Sequence, residues 1–351
     1  MTNRMLTAEV WAGRILNKIT VGGDLTLRNG GALEINAAET NATMSWGGEV
    51  QIAGSVTVGA GGRLIATCDQ TNLGAPRFSV GGDFTVAEGG VVSADGRGGL
   101  GGSYFSYSGN FSVNRQTGYG PGAGNGMGSA GYGGAGGLAG AKNENGSEWQ
   151  ESDTYNTNLC GRTYGDAWRP DMCGSGGGCQ AYKSGGSGGG LIFIEAGGGI
   201  LVDGLVTANG FGSFDSNCYG TYSLYRPQAG SGGGIYLCGE TFAGSGTITA
   251  TGGEGLNKKN FGSQAPGGGG RIAVRTGYAK QLAGERVKVL KIGESVPGFA
   301  GEIVVAAGSH FKGINDSDTE MFFTEVYSAP KNGTVRYSDV ILAPGLSISI
   351  R

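Results

Sequence analysis

The residues able to do chemistry in this chain are few and poorly grouped. One histidine, His310, and six cysteines (Cys68, Cys160, Cys173, Cys179, Cys218 and Cys238) are present, and no two cysteines form a CxxC pair. A zinc site of ordinary type needs close-spaced Cys and His ligands, so no metal is expected. His310 lies in Gly308-Ser309-His310-Phe311, and the one Gly-x-Ser-x-Gly string, Gly185-Gly186-Ser187-Gly188-Gly189, is part of a glycine run that opens no helical pattern and is not read as a nucleophile. No GxxxxGK[ST] phosphate loop occurs. GxGxxG matches arise by chance in a chain with 77 glycines, and none opens a helical pattern. Carboxylate chemistry on a polysaccharide would need clustered acids. Asp24 and Asp83 occupy matching slots, but Ser55 stands between them. Arg271, Arg275 and Glu195 read as a solvated face. No catalytic residue and no cofactor is expected.

Binding is better represented. Trp149, Tyr155, Tyr164, Trp168 and Arg169 sit among Asn, Asp, Ser and Thr, with Cys160 and Cys173 inside the same stretch. Tyr219, Tyr222, Tyr225 and Arg226 form a second group beside Cys218. Rigid rings and guanidinium groups set among small polar residues are the composition of recognition loops. The other expectation for these rings is that they cover an apolar sheet face. Cys160, Cys173, Cys179 and Cys218 fall in loop-like sequence and are candidates for disulfides, which implies an oxidising compartment.

These residues need elements to hold them, and the elements are repeats. Gly followed by a short alternating strand recurs at Gly23, Gly54, Gly82, Gly190, Gly234, Gly270 and Gly301, at spacings of 31, 28, 108, 44, 36 and 31 residues. Read as one slot, this predicts a column Leu25, Val56, Phe84, Ile192, Tyr236, Ile272, Ile303. A neighbouring column runs through Leu27, Val58, Val86, Ile194, Cys238, Val274 and Val305. A second register, Gly-x-[Val/Ile]-[Ser/Thr]-Ala-x-Gly, gives the column Leu33, Leu64, Val92, Val206, Ile248 beside Ile35, Ala66, Ala94, Ala208, Ala250.

Short strands, glycine corners and no amphipathic helical period predict an all-β fold: a right-handed parallel β-helix, or solenoid, with long loops. Residues 1–18 are expected to cap its start, and residues 19–313 to form the solenoid, interrupted by a Gly-rich insertion at 98–190. Residues 314–351 would be a C-terminal cap or the start of a further module. The insertion either stacks as extended, hydrogen-bonded runs that cover the outer sheet, or stays a disordered tract over 118–140.

Formal charge is only −3 and no apolar stretch approaches membrane-spanning length, so neither nucleic acid nor membrane insertion is expected. No signal-peptide core stands in Met1 to Val10, so any export signal is expected to lie outside this sequence. The strings GGSGGGLIFIEAGGGILVDGLVTANG, GSGGGIYLCGETFAGSGTITATGG and PGGGGRIAV resemble the glycine-rich repeats of bacterial surface and secreted proteins with a pectate-lyase-like β-helix. A more distant similarity is to phage tail adhesins. The first resemblance covers about residues 19–310 and implies an adhesin or surface stalk, with no lyase motif carried over. The expected function is therefore a non-enzymatic, extracellular or cell-surface module that binds glycan or a cell-surface protein. A purely structural repeat, or a lyase or glycosidase, are the alternatives.

Overall fold

The computed structural model describes residues 18–37, 46–107, 110–139, 157–179, 184–212, 228–258, 262–283, 286–312 and 326–343. Three sheets dominate it. An eight-stranded sheet runs Lys18–Val21, Gly47–Ile52, Ala75–Val80, Leu191–Ala196, Gly234–Cys238, Arg271–Thr276, Thr334–Leu342 and finally Val287–Gly293. All its pairings are parallel except the last, where Val287–Gly293 runs antiparallel to Thr334–Leu342. A five-stranded parallel sheet takes Leu25–Leu27, Val56–Val58, Phe84–Val86, Ile200–Val202 and Phe242–Ala243. A six-stranded parallel sheet takes Ala32–Asn36, Arg63–Thr67, Val91–Ser93, Leu205–Thr207, Thr247–Thr249 and Glu302–Val304. Inward side chains of all three, among them Val50, Phe78, Ile192, Phe84, Val202, Leu64 and Val206, share one buried apolar core. Burying each such side chain contributes roughly 1.5–3 kcal/mol.

The expected right-handed β-helical solenoid is corrected by this arrangement. One slot holding all seven glycine-led strands does not exist. Leu25, Val56 and Phe84 continue into Ile200 and Phe242 in the five-stranded sheet, whereas Ile192 belongs to the eight-stranded sheet and Ile303 to the six-stranded one. Within the eight-stranded sheet Ile192 pairs with Ile235 and Ile235 with Ile272, while Tyr236 pairs with Phe193 and Ala273. Tyr236 therefore faces out and Leu237 faces in, and Cys238 lies beside Glu195 and Arg275 on the outer side. The cause is a slip of one residue between two identical Gly-Ser-Gly-Gly-Gly strings, since Leu191 pairs with Gly234 rather than with Ile235. Side chains alternate with period two, so one step reverses every face. The second register holds: Leu33, Leu64, Val92, Val206 and Ile248 pair in succession.

The described residues of the Gly-rich stretch 98–190 carry several glycine runs. These pack with those at 208–212, 228–234, 250–254, 264–270, 305–308 and 331–333 into a bundle held by backbone hydrogen bonds. Run 228–233 shows the rule. Gln228 and Ser231 donate to Gly178 and Ser175, Ala229 and Gly232 to Ala265 and Gly268, and Gly230 and Gly233 to Phe211 and Ala208, at 2.7–3.2 Å. Partners repeat every third residue. The carbonyls of Gln228 and Ser231 accept from Gly186 and Gly189, that of Ala229 from Ala130, and that of Gly230 from Gly253. A chain with three residues per turn and no internal hydrogen bonds is a polyproline II helix, here ringed by neighbours.

Glycine is required because the neighbours arrive where side chains would stand. A Cβ on Gly189 would lie 2.1 Å from the Ala208 carbonyl oxygen, and one on Gly232 would lie 2.3 Å from that of Ala250. The stretch from Gly118 to Gly137 belongs to this bundle: Ala130 donates to Ala229, Gly131 to Gly122, and Gly133 to Gly269. The disordered alternative does not hold there.

Candidate functional site

The glycine runs carry the chain away from the sheets and back. Runs beginning after Ser93, Thr207, Thr249 and Val304 leave the six-stranded sheet, and runs ending at Gly190, Gly234, Gly270 and Gly333 feed the eight-stranded one. Their turning points share one end of the bundle. Gly102 bonds Gly177 and Gly185, Gly178 bonds Gly128 and Gln228, Phe211 bonds Ser187 and Gly230, Gly253 bonds Gly230 and Gly267, and Gly308 bonds Gly267. At that end the backbone forms three small sheets. They are the hairpin Ser103–Tyr107 with Asn110–Arg115, the pair Leu138–Ala139 with Val326–Ser328, and Gly255–Lys258 between Gly262–Ser263 and His310–Lys312. Phe211, 53 % exposed, rests over Gly96, where a Cβ would meet its ring at 2.3 Å.

A second feature lies on the outer face of the eight-stranded sheet. Leu191, Phe193, Tyr236, Cys238 and Ala273 are buried there with Cys68, Ala75 and Cys173. Their cover is the segment from Tyr164 to Cys173. The Arg169 guanidinium lies 5.0 Å from the Phe193 ring centre and 5.7 Å from that of Tyr236, and reaches Glu195 at 3.4 Å. Arg77 lies 4.6 Å from the Phe193 ring and 5.2 Å from that of Trp46, and pairs with Asp171 at 3.8 Å. Phe193 and Tyr236 stack with centroids 4.7 Å apart. Burial opposes the charge of Arg169, but Glu195 holds its pKa above the ordinary guanidinium value. At Arg77 burial prevails over Asp171 and lowers it.

Of the expected binding residues, Trp149, Tyr155, Tyr219, Tyr222, Tyr225 and Arg226 lie outside the described residues, as does Cys218. Tyr164, Trp168 and Arg169 belong to the sheet cover. The Tyr164 hydroxyl donates to the Cys173 carbonyl at 2.5 Å and accepts from the Ser175 hydroxyl at 2.8 Å, and burial raises its pKa well above normal. Arg271 Nε donates to the Tyr164 carbonyl at 2.8 Å. Trp168 is half-buried, with Lys291 Nζ 5.2 Å and the Arg336 guanidinium 5.7 Å from its ring. These three side chains therefore lie over the outer face of the eight-stranded sheet, Arg169 directly on Phe193 and Tyr236.

Among the described residues Cys68, Cys160, Cys173 and Cys238 are free thiols, and Cys179 is buried. Burial pushes Cys160 up to about 11 and Cys238 up to about 12. A thiol so held is a poor nucleophile at neutral pH. Among the described residues no group of three or more His, Cys, Asp and Glu could hold a metal. Sequence reading missed Arg77 and Trp46 although signals were present: Gly48-Glu49-Val50-Gln51-Ile52 repeats the Gly-led alternation directly after Trp46, and Ala75-Pro76-Arg77-Phe78-Ser79-Val80 alternates without a leading glycine in its slot. Phe211 was signalled by its place after Gly210, where a glycine run gives way to a loop. No family model, curated protein or solved structure matches this chain.

Proposed function

We propose that this chain is a non-enzymatic binding module of the cell surface or extracellular space. Its three sheets and glycine bundle would form a rigid support for recognition of a glycan or a cell-surface protein. The observation that supports this most is the convergence of turning points: residues flanking 103–117, 179–184, 213–227, 255–264 and 309–330 meet at one end of the bundle. Segments distant in sequence thereby start from one small area, as a composite binding surface requires. The segment 213–227 carries Phe214, Tyr219, Tyr222, Tyr225 and Arg226, and Phe211 at its root is already exposed. Buried rigid aromatic anchors commonly dominate the energy of such contacts.

The test is alanine replacement of Tyr219, Tyr222 and Tyr225 together, and separately of Trp149 and Tyr155, read on glycan arrays and by cell binding. At least one set should lose about tenfold or more in affinity, roughly 1.4 kcal/mol, with unchanged melting temperature. Binding profiles identical to the parent in both sets would leave a purely structural repeat. Arg169→Ala serves as the control, because its side chain is engaged with the sheet.

A further inference from the structure

Two thiols meet beneath the cover of the eight-stranded sheet. Cys68 and Cys173, 105 residues apart in sequence, are both buried in the small outer cluster with Ala75, Leu191 and Phe193. Their backbones are fixed against the same extended stretch. Cys68 N donates to the Arg97 carbonyl at 3.1 Å, and Gly99 N donates to the carbonyl of Gly174, the residue after Cys173, at 2.9 Å. The Cys173 thiol points to the Leu73 carbonyl at 3.9 Å, inside the loop that Cys68 opens, and makes side-chain contact with Cys68.

That loop is tightly built. Asp69 accepts from the Thr71 and Asn72 amides, Asn72 accepts from the Gly74 amide, and Leu73 is held at φ 70°, a conformation costly for a leucine. The loop and the cover segment are therefore both positioned before any bond links them. The contact with Cys68, and then burial, raise the Cys173 pKa well above the free-thiol value. A resting thiolate is thereby disfavoured in the finished structure, where Cys173 stays a neutral thiol.

We propose that Cys68 and Cys173 are a disulfide-forming pair that staples the cover segment 164–173 to the loop 68–74 when the chain folds in an oxidising compartment. The oxidant is a small-molecule disulfide. One of the two cysteines, as thiolate, attacks its S–S bond and releases one small thiol. The other, having given up its proton, attacks the protein sulfur of that mixed disulfide and releases the second. Two protein thiols are oxidised, one small disulfide is reduced to two thiols, and the protein loses two hydrogens. Because both sulfurs are buried in the finished structure, the exchange belongs to folding.

The experiment exports the full chain into an oxidising compartment, alkylates it on release and digests it with trypsin without reduction. Peptide 64–77, with Cys68, should be recovered joined to peptide 163–183, which contains Cys173 and Cys179. Fragmentation should place the bond on Cys173. A Cys179→Ser chain should keep the link, and a Cys173→Ser chain should yield Cys68 fully alkylated. Recovery of alkylated Cys68 from the parent chain, or of Cys68 joined to any other cysteine, overturns the proposal.

Discussion

At the scale of single residues, polar side chains here mostly serve to lock turns. Asp69 is the clearest instance: its carboxylate accepts from the Thr71 amide at 2.9 Å, the Thr71 hydroxyl at 2.8 Å and the Asn72 amide at 3.0 Å. Burial works against the charge, but these bonds outweigh it and hold the pKa below the ordinary carboxylate value. A group whose folded pKa is depressed stabilises above its unfolded pKa, about 3.9, and loses that contribution as pH falls through the folded value. Asp69→Ala should therefore cost about 1 kcal/mol at pH 7. The gap between parent and variant should close below the folded pKa. Urea unfolding of both chains at pH 7 and pH 2.5 checks this, and a gap that persists undiminished in acid would assign the cost to the lost side chain alone. The Asp24, Asp83 and Asp203 carboxylates do similar work between successive turns, accepting from the Ser55, Gly199 and Ser245 amides at 2.8, 2.8 and 2.9 Å. The matching slots of Asp24 and Asp83, weighed in the sequence as possible chemistry, are thus hydrogen-bonded corners.

At the scale of elements, the glycine runs and the strands obey opposite requirements. A strand wants a side chain to bury, and a bundle helix wants none. Gly189→Ala should destabilise by about 3 kcal/mol or more, because its Cβ meets a backbone carbonyl at 2.1 Å that cannot rotate away. Gly22→Ala, with nothing within 4 Å of the added atom, should be neutral or slightly stabilising through the unfolded chain. Thermal melts of the two variants separate sequence-enforced packing from mere flexibility, and equal effects would refute the close-packed reading. This division also explains what could be read in advance. The second-register column from Leu33 to Ile248 was legible because each copy places its apolar residue two before a small or apolar one, Ile35, Ala66, Ala94, Ala208 or Ala250, and these side chains mark the register. The first-register column was misread because Leu25, Val56, Phe84 and Ile303 belong to other sheets, and because within the eight-stranded sheet Gly234 itself pairs with Leu191 and Arg271, so this one string aligns a step away from where its letters suggest. Glycine has no side chain with which to mark register, and an error there propagated to Tyr236, Leu237 and Cys238. Trp168 and Arg169 were legible as aromatic and cationic, but nothing local in sequence reveals that Phe193 and Tyr236 lie beneath Arg169, or that Lys291 and Arg336 flank Trp168.

At the scale of the whole molecule, two kinds of interior must unfold as one. Runs ending at Gly190, Gly234 and Gly270 continue without a break into strands of the eight-stranded sheet, so the bundle cannot open without pulling on the apolar core. A single cooperative transition follows, but with an unusual heat capacity. Exposing apolar surface raises ΔCp and exposing polar surface lowers it, and ordinary domains average about 12–15 cal/mol/K per residue. For 351 residues that average gives about 4–5 kcal/mol/K. Here much of the buried material is peptide backbone from a chain with 77 glycines, as at Gly232 to Gly234, which are buried without side chains. The measured ΔCp should therefore fall clearly below that range. Calorimetric scans at several pH values, with ΔH plotted against melting temperature, give the slope directly. A value within or above the ordinary range would mean that apolar burial dominates after all, and that the bundle contributes little to the rigidity on which a shared loop-bearing end depends.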